Sequence, residues 1–417
     1  MNKGVLGFGQ VAGRKAFLFV FLLLIGCGAR IESQGTSAEQ LTIVALGDTG
    51  ENSSILRANA STITDMYTGT YGGENFSAML FLGDNFYPTG LNVPFADVER
   101  KVKSVLGKFK TPFSGLGRNN VHAVAGNHDY YARLALDKSV FLGLVTIQEG
   151  PIGFTSRGNE REAAIPDWTY YYGMPANAFY PLSPNATDSV QLIFFDSAVL
   201  LRTDTLSWRP ALDSLYTLLA LTKARPSIAW RILVAHHPFH SVGEHGGYTE
   251  WNDETNQVDY LTQCDKDTNA LGWLKNWVDP EDACASKYQQ YVNSVNKIIK
   301  KSGAKVQLVL SGHDHSLQLL YYPWRVEDCD GCPKVQIVSG AGSDRSRVKL
   351  PSPPNEFTSA QTKPSEKGMA IPGFVQLKFD QNRLRAVFFS ADRGDRIDMG
   401  DGRTEFWIDV NGTLLIK

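Results

Sequence analysis

The sequence predicts an α+β fold in which two mixed β-sheets pack against each other between outer layers of helices. Three observations carry this expectation. Beyond residue 40, short apolar runs recur, each followed by glycine, an acid or histidine, the pattern of buried strands that end in polar loops. Amphipathic stretches separate the early runs, as they do where strands alternate with helices. The last four runs crowd together, so one sheet is expected to be wound with helices and the other to be richer in hairpins.

In chain order, strands are expected over 41–46, 78–82, 121–125, 190–195, 231–235, 305–310, 334–339, 374–379, 383–389 and 405–410. Helices fit 53–67, 94–110, 205–222 and 288–302, the third starting from Thr205 or Ser207 as its cap. No repeat and no Pro/Gly/Ser linker divides residues 41–417, which therefore read as a single domain. Its most irregular part, about 246–287, reads as an insertion and carries Trp251, Trp273 and Trp277.

A formal net charge of −2 offers no basic field for nucleic acid or for an anionic membrane face. At the N-terminus, Lys3, Arg14 and Lys15 precede AFLFVFLLLIG, too short to span a bilayer but suited to a signal peptide. Residues 1–27 are expected to direct export, and 28–40 to form a flexible polar leader. LIGC, ending at Cys27, resembles a bacterial lipobox with a lipid anchor on the cysteine, while CGA reads equally as a small-residue cleavage site. A periplasmic or outer-membrane lipoprotein is favoured, with secretion as the alternative. No transmembrane helix is expected after signal removal, and the protein is expected to be a monomer.

Besides Cys27 there are four cysteines, an even number that suits two disulfides in an oxidising compartment, with a zinc site as the competing explanation. Cys264 and Cys284 share the insertion, and Cys329 and Cys332 flank an Asp-Gly turn, so these two local pairings are expected.

Five strands end in side chains able to coordinate a metal: LGDTG with Asp48, LGDNFY with Asp84 and Tyr87, AGNHD with Asn127 and His128, VAHHPFH with His236, and SGHDH with His313 and His315. Each alone is unremarkable, since Gly-Asp is a common turn and a lone histidine is usually structural. Together, at strand ends, they can converge in the crevice beyond the carboxyl edges of the sheets. Carboxylate, amide oxygen, phenolate and imidazole suit iron, zinc and manganese. Asp84 can bridge two ions through its two oxygens, and Tyr87 suits a trivalent ion strong enough to hold phenolate.

GDxG, GDxxY, GNHD, VxxH and GHxH in this order resemble the calcineurin-like metallophosphoesterases. The tyrosine, with HHPFHSVGEHG, GHDHSLQ and VSGAG, resembles the small, tartrate-resistant, mammalian-type purple acid phosphatases within them. The resemblance runs from about residue 41 to 342 and implies a four-layer α/β/β/α sandwich. It implies Fe(III) at Asp48, Tyr87, His315 and bridging Asp84, and a divalent Fe, Zn or Mn ion at Asp84, Asn127, His236 and His313. Asp314 is expected to point away, His237 to serve packing or an outer position, and Asp196 to be structural.

The implied reaction is hydrolysis of a small phosphate monoester by water activated between two metal ions, with His128 or His245 protonating the leaving group. The two histidines are not ranked by the sequence. A phosphodiesterase or nucleotide pyrophosphatase is the alternative on the same centre, and a non-catalytic scaffold is the alternative of another class. The segment between His245 and His313 is longer than in the small mammalian-type enzymes, which leaves the substrate range open.

Overall fold

The computed structural model describes residues 40–70, 76–130, 157–260, 282–322 and 328–416. In chain order these form β1 (Thr42–Leu46), α1 (Ser54–Tyr67), β2 (Ala78–Phe81), α2 (Phe95–Val105), α3 (Lys110–Leu116), β3 (Val121–Val124), α4 (Arg157–Ala163) and β4 (Thr169–Tyr171). There follow β5 (Ala176–Pro181), β6 (Ser189–Phe195), α5 (Ser197–Arg202), α6 (Arg209–Lys223), β7 (Ile228–Ala235), β8 (Tyr248–Asn252), β9 (Gln257–Tyr260) and α7 (Ser286–Ser302). The chain closes with β10 (Leu308–Ser311), β11 (Leu317–Tyr321), β12 (Val335–Ser339), β13 (Glu356–Thr358), β14 (Gly373–Phe379), β15 (Arg383–Ser390), β16 (Glu405–Asp409) and β17 (Leu414–Leu415).

Two mixed sheets result, one ordered β17-β16-β15-β14-β1-β2-β3-β4 and the other β13-β11-β12-β10-β7-β6-β5. Period-two alternation explains the layering, because successive side chains of a strand face opposite sides. Ile43 and Ala45 pack with Leu192, Phe194, Ile232 and Leu310 in the core between the sheets. Val44 and Leu46 pack outward with Leu56, Ala60 and Ile63 of α1. On the other sheet Ile193, Phe195 and Leu233 face Leu215 and Leu219 of α6 and Tyr288 and Val295 of α7. These three apolar interfaces are those of a four-layer α/β/β/α sandwich.

The expected division into a wound sheet and a hairpin-rich sheet is not what forms. Each sheet has a parallel half and antiparallel strands. β14 joins the first sheet antiparallel to β1, with Val44 opposite Gln376, and β15 to β17 continue outward from it. β12 instead lies parallel to β10 in the second sheet, with Leu310 opposite Ile337. Crowding along the chain therefore did not report which sheet each late strand joins.

Boundary differences have local causes. Ser53 caps α1 by accepting from the Leu56 N–H at 3.0 Å. The helix expected over 94–110 leaves the α conformation after Val105 and restarts as α3, in which Pro112 has no N–H to continue the ladder. α6 begins at Arg209 with Pro210 in its first turn, and neither Thr205 nor Ser207 caps it. Ser207 is engaged instead by Asp204, which accepts from its N–H at 3.1 Å and its hydroxyl at 2.8 Å.

Cys329 and Cys332 form the expected disulfide. Cys284 is also disulfide-bonded; Cys264 lies outside the described residues, as do the expected export signal, Cys27, Trp273 and Trp277. No helix among the described residues is long and apolar enough to cross a membrane.

Candidate metal centre

Asp48, Asp84 and Asn127 follow β1, β2 and β3, neighbouring parallel strands of the first sheet. His236 and His313 follow β7 and β10, neighbouring parallel strands of the second. The carboxyl edges of both parallel halves thus open on one crevice. Asp48, Asp84 and His313 take positive φ angles of 57°, 51° and 71°, a region uncommon for residues other than glycine. The glycines before two of them are required by contact. A Cβ on Gly83 would stand 2.4 Å from His236 Nδ1, and one on Gly312 would stand 2.6 Å from Asp48 Oδ2.

On one side the Tyr87 hydroxyl lies 3.0 Å from Asp48 Oδ1, 3.1 Å from Asp84 Oδ2 and 3.0 Å from His315 Nε2. A phenol has a single proton and can donate to one of the three. Burial, then the charges of Asp48 and Asp84, push its pKa well above the usual 10.0. His315 Nδ1 lies 3.6 Å from Asp344 Oδ2. Burial opposes charge on His315, but its hydrogen bonds to Asp344 and Asp48 raise it well above its ordinary range.

On the other side His236 Nδ1 donates to the Leu82 carbonyl at 2.8 Å, which turns Nε2 toward Asn127 Oδ1 at 2.8 Å and Asp84 Oδ1 at 3.4 Å. Burial disfavours the imidazolium, yet Asp84, followed by Asp48, raises His236 to about 9. For Asp84, burial favours the acid, but His236 and His128 hold the carboxyl well below its usual range. The His313 N–H donates to Asp48 Oδ2 at 2.8 Å, and its ring centroid lies 5.0 Å from that of His236.

This donor set fits cations. One phenol group faces two carboxylate oxygens and an imidazole nitrogen, and one imidazole nitrogen faces two oxygens, a convergence of ligand atoms on which positive ions can sit. Two buried groups, Asp48 with Asp84 and His236, and His236 with His237 and His313, each bring their ligand atoms within 4.8 Å of one another.

Both candidate acids stand beside these groups. His128 donates from Nδ1 to the Pro88 carbonyl at 2.9 Å, and its Nε2 is 4.0 Å from Asp84 Oδ2. His245, on the turn Glu244–Gly246, stacks on His313 at 4.1 Å between centroids. Its Nδ1 lies 3.2 Å from the buried Asp282 carboxylate.

The loop that carries His245 is held by buried polar groups. Asp314 accepts from the Glu244 N–H at 3.0 Å and from the Ser241 hydroxyl, so its carboxylate is engaged by this loop. Gln318 on β11 accepts from the Val242 N–H at 3.0 Å, and Gln336 on β12 accepts from Phe239 and His240 at 2.6 and 3.1 Å. Asp196 caps α5 by accepting from Val199 at 3.0 Å, the structural role expected of it.

All nine candidates, Asp48, Asp84, Tyr87, Asn127, His128, His236, His245, His313 and His315, meet in this crevice. Sequence reasoning missed Asp282, Asp344 and the closeness of His237 to the imidazoles. Asp282 and Asp344 sit in irregular loops where no periodicity marks them. His237 had adjacency to His236 as its one signal.

The family model described as calcineurin-like phosphoesterase matches residues 41–317, well over half of the chain. That family consists of metal-dependent phosphoester hydrolases with dinuclear centres. No curated protein matches the sequence significantly. Among solved structures, GAP50, the anchor in the inner membrane complex of Plasmodium, is similar with 16% identity and a TM-score of 0.53, covering 88% of this chain and 90% of that one. PhoD aligns with 10% identity and a TM-score of 0.48, covering 90% of this chain and 71% of its own. At 16% identity the likeness to GAP50 is one of fold.

Proposed function

We propose that this chain, which belongs to the calcineurin-like phosphoesterase family, is an acid phosphatase of the small purple type that hydrolyses phosphate monoesters. The observation that carries this reading is Tyr87, whose hydroxyl lies 3.0–3.1 Å from Asp48, Asp84 and His315. A generic two-metal phosphoesterase has no need of a phenol at that point, whereas Fe(III) binds phenolate strongly. Asp48, Tyr87, His315 and Asp84 would hold Fe(III); Asp84, Asn127, His236 and His313 would hold divalent Fe, Zn or Mn. When bound, the ions supply positive charge to the phosphate oxygens and make water nucleophilic at acid pH.

The chain's own groups do the rest. Leu82 and Asp344 orient His236 and His315 through their outer nitrogens, as hydrogen-bond partners of metal-binding histidines do. His245, with Asp282 on Nδ1, is arranged to present Nε2 as the proton donor to the leaving oxygen. His128 has a neutral carbonyl on Nδ1 and is suited to bind phosphate. Export, with lipidation at Cys27 as one outcome, is proposed from the apolar N-terminal run.

Metal analysis with absorption spectroscopy, together with rates on p-nitrophenyl phosphate and bis(p-nitrophenyl) phosphate, tests the reading. Iron with a visible charge-transfer band and preference for the monoester are expected. A colourless, iron-free, active protein overturns the ferric assignment, and preference for the diester supports the phosphodiesterase alternative. The likeness to GAP50, an anchor protein, motivates a second reading as a non-catalytic scaffold. Absence of turnover on either ester after metal loading would favour it.

A further inference from the structure

One fully buried imidazole lies against the divalent side of the centre without belonging to the ligand motifs. The His237 side chain is 1% exposed, and its ring centroid is 4.8 Å from that of His236 and 4.4 Å from that of His313. One ring nitrogen from each of these three residues lies within 4.8 Å of the other two.

Ser197, at the start of α5, engages the Nδ1 side of the His237 ring. Its Oγ accepts from the His237 backbone N–H at 3.0 Å and lies 2.9 Å from Nδ1 of the same residue. The Tyr291 phenol donates to the His237 carbonyl at 3.1 Å, so the backbone on the other side of the residue is held as well. When the serine oxygen accepts from Nδ1–H as it does from the backbone N–H, the ring proton is held on Nδ1. That tautomer leaves the Nε2 lone pair available to a cation. A residue that merely filled space here would need none of this chain of hydrogen bonds.

We propose that His237 supplies a third imidazole nitrogen to the divalent ion, beside His236 and His313, with Ser197 orienting its ring. The inference rests on the dinuclear reading given above and deepens it. Three imidazoles with the Asp84 carboxylate and the Asn127 amide form a nitrogen-rich set, which favours zinc or ferrous iron over manganese or magnesium.

The test uses His237→Phe, which keeps an aromatic ring but removes both nitrogens. Wild type and variant are equilibrated with competing zinc and manganese, their metal content is measured, and imidazole nitrogens on a Cu(II)-substituted divalent site are counted by pulsed EPR. Three coupled imidazoles are expected in the wild type and two in the variant. Zinc retention relative to manganese should fall by about tenfold or more while iron stays bound. Two imidazoles in the wild type, or an unchanged zinc-to-manganese ratio in the variant, overturn the proposal. If the phenylalanine variant does not fold, Ser197→Ala serves in its place: weaker zinc retention is expected, and unchanged retention overturns the proposal. A wild type that binds no divalent ion defeats the dinuclear reading itself, a result distinct from two-imidazole coordination.

Discussion

The Asp282 carboxylate lies 3.2 Å from Nδ1 of His245, joining the far end of the insertion to the turn that begins it. A backbone bond from the Ala283 N–H to the His245 carbonyl, at 2.9 Å, reinforces the link. His245→Ala should keep both metal ions and lower kcat about 10²–10⁴-fold on an alkyl phosphate, with a much smaller loss on an activated aryl phosphate. Asp282→Asn should move in the same direction by a smaller factor. Equal losses on the two substrates would transfer the acid role to His128.

His236 should fail differently, although it stands on the same loop. Its Nε2 faces Asn127 and Asp84, so His236→Ala should remove the divalent ion and turnover together. Metal content measured beside the rate decides this; a variant that retains the ion but loses activity would contradict the ligand assignment.

Tyr87→Phe should bleach the visible band of the oxidised protein and leave the fold intact, because the ring packs as before and the hydroxyl alone is lost. Absorption and circular dichroism read the two effects separately. Colour surviving in the phenylalanine variant would reject the phenolate.

Asp314 accepts two hydrogen bonds from the His245 loop while fully buried. Asp314→Ala leaves those donors without a partner, and the expected cost is about 1–3 kcal/mol of stability. Chemical denaturation measures the cost, and metal content should remain unchanged. A loss of iron in this variant would mean that Asp314 also supports the ligands directly.

Burial lowers His122 from 6.5 to about 4. This histidine lies on β3 between Tyr171 and Tyr180, away from the proposed ligands. The unfolded chain takes up its proton as pH falls through about 6.5, whereas the folded chain resists until about 4. Its contribution to stability is therefore fully present above the unfolded value and declines across that window, by about 3 kcal/mol in all. His122→Phe should flatten the acid limb of a stability-versus-pH curve; an unchanged slope between pH 6.5 and 4 would refute the linkage.

Much of the fold could be read in advance because its information is local. LTIVAL, VQLIFF and RILVA carry buried β-branched and aromatic residues, and the strands Thr42–Leu46, Ser189–Phe195 and Ile228–Ala235 form over or around them. Short strands such as Thr169–Tyr171 and Glu356–Thr358 were not legible, since three residues have too little pattern to mark a strand and depend on a neighbour's edge. The candidate site was legible residue by residue for a similar reason: Asp48, Asp84, Asn127 and His313 each follow a strand through a short turn containing glycine, and His236 directly follows Ala235 at the end of β7.

By itself the sequence determined which side chains stand at strand ends, and hence the chemistry a centre built from them can perform. Tertiary structure alone decided that the parallel halves of two separate sheets open on one crevice, because that depends on sheet order and on packing between residues hundreds of positions apart. It also decided what surrounds the centre. Asp282 reaches His245, Asp344 reaches His315 and Ser197 turns His237 through contacts from separate loops and helices. Sequence spacing does not encode such contacts, because each depends on where the chain returns after the intervening elements have packed.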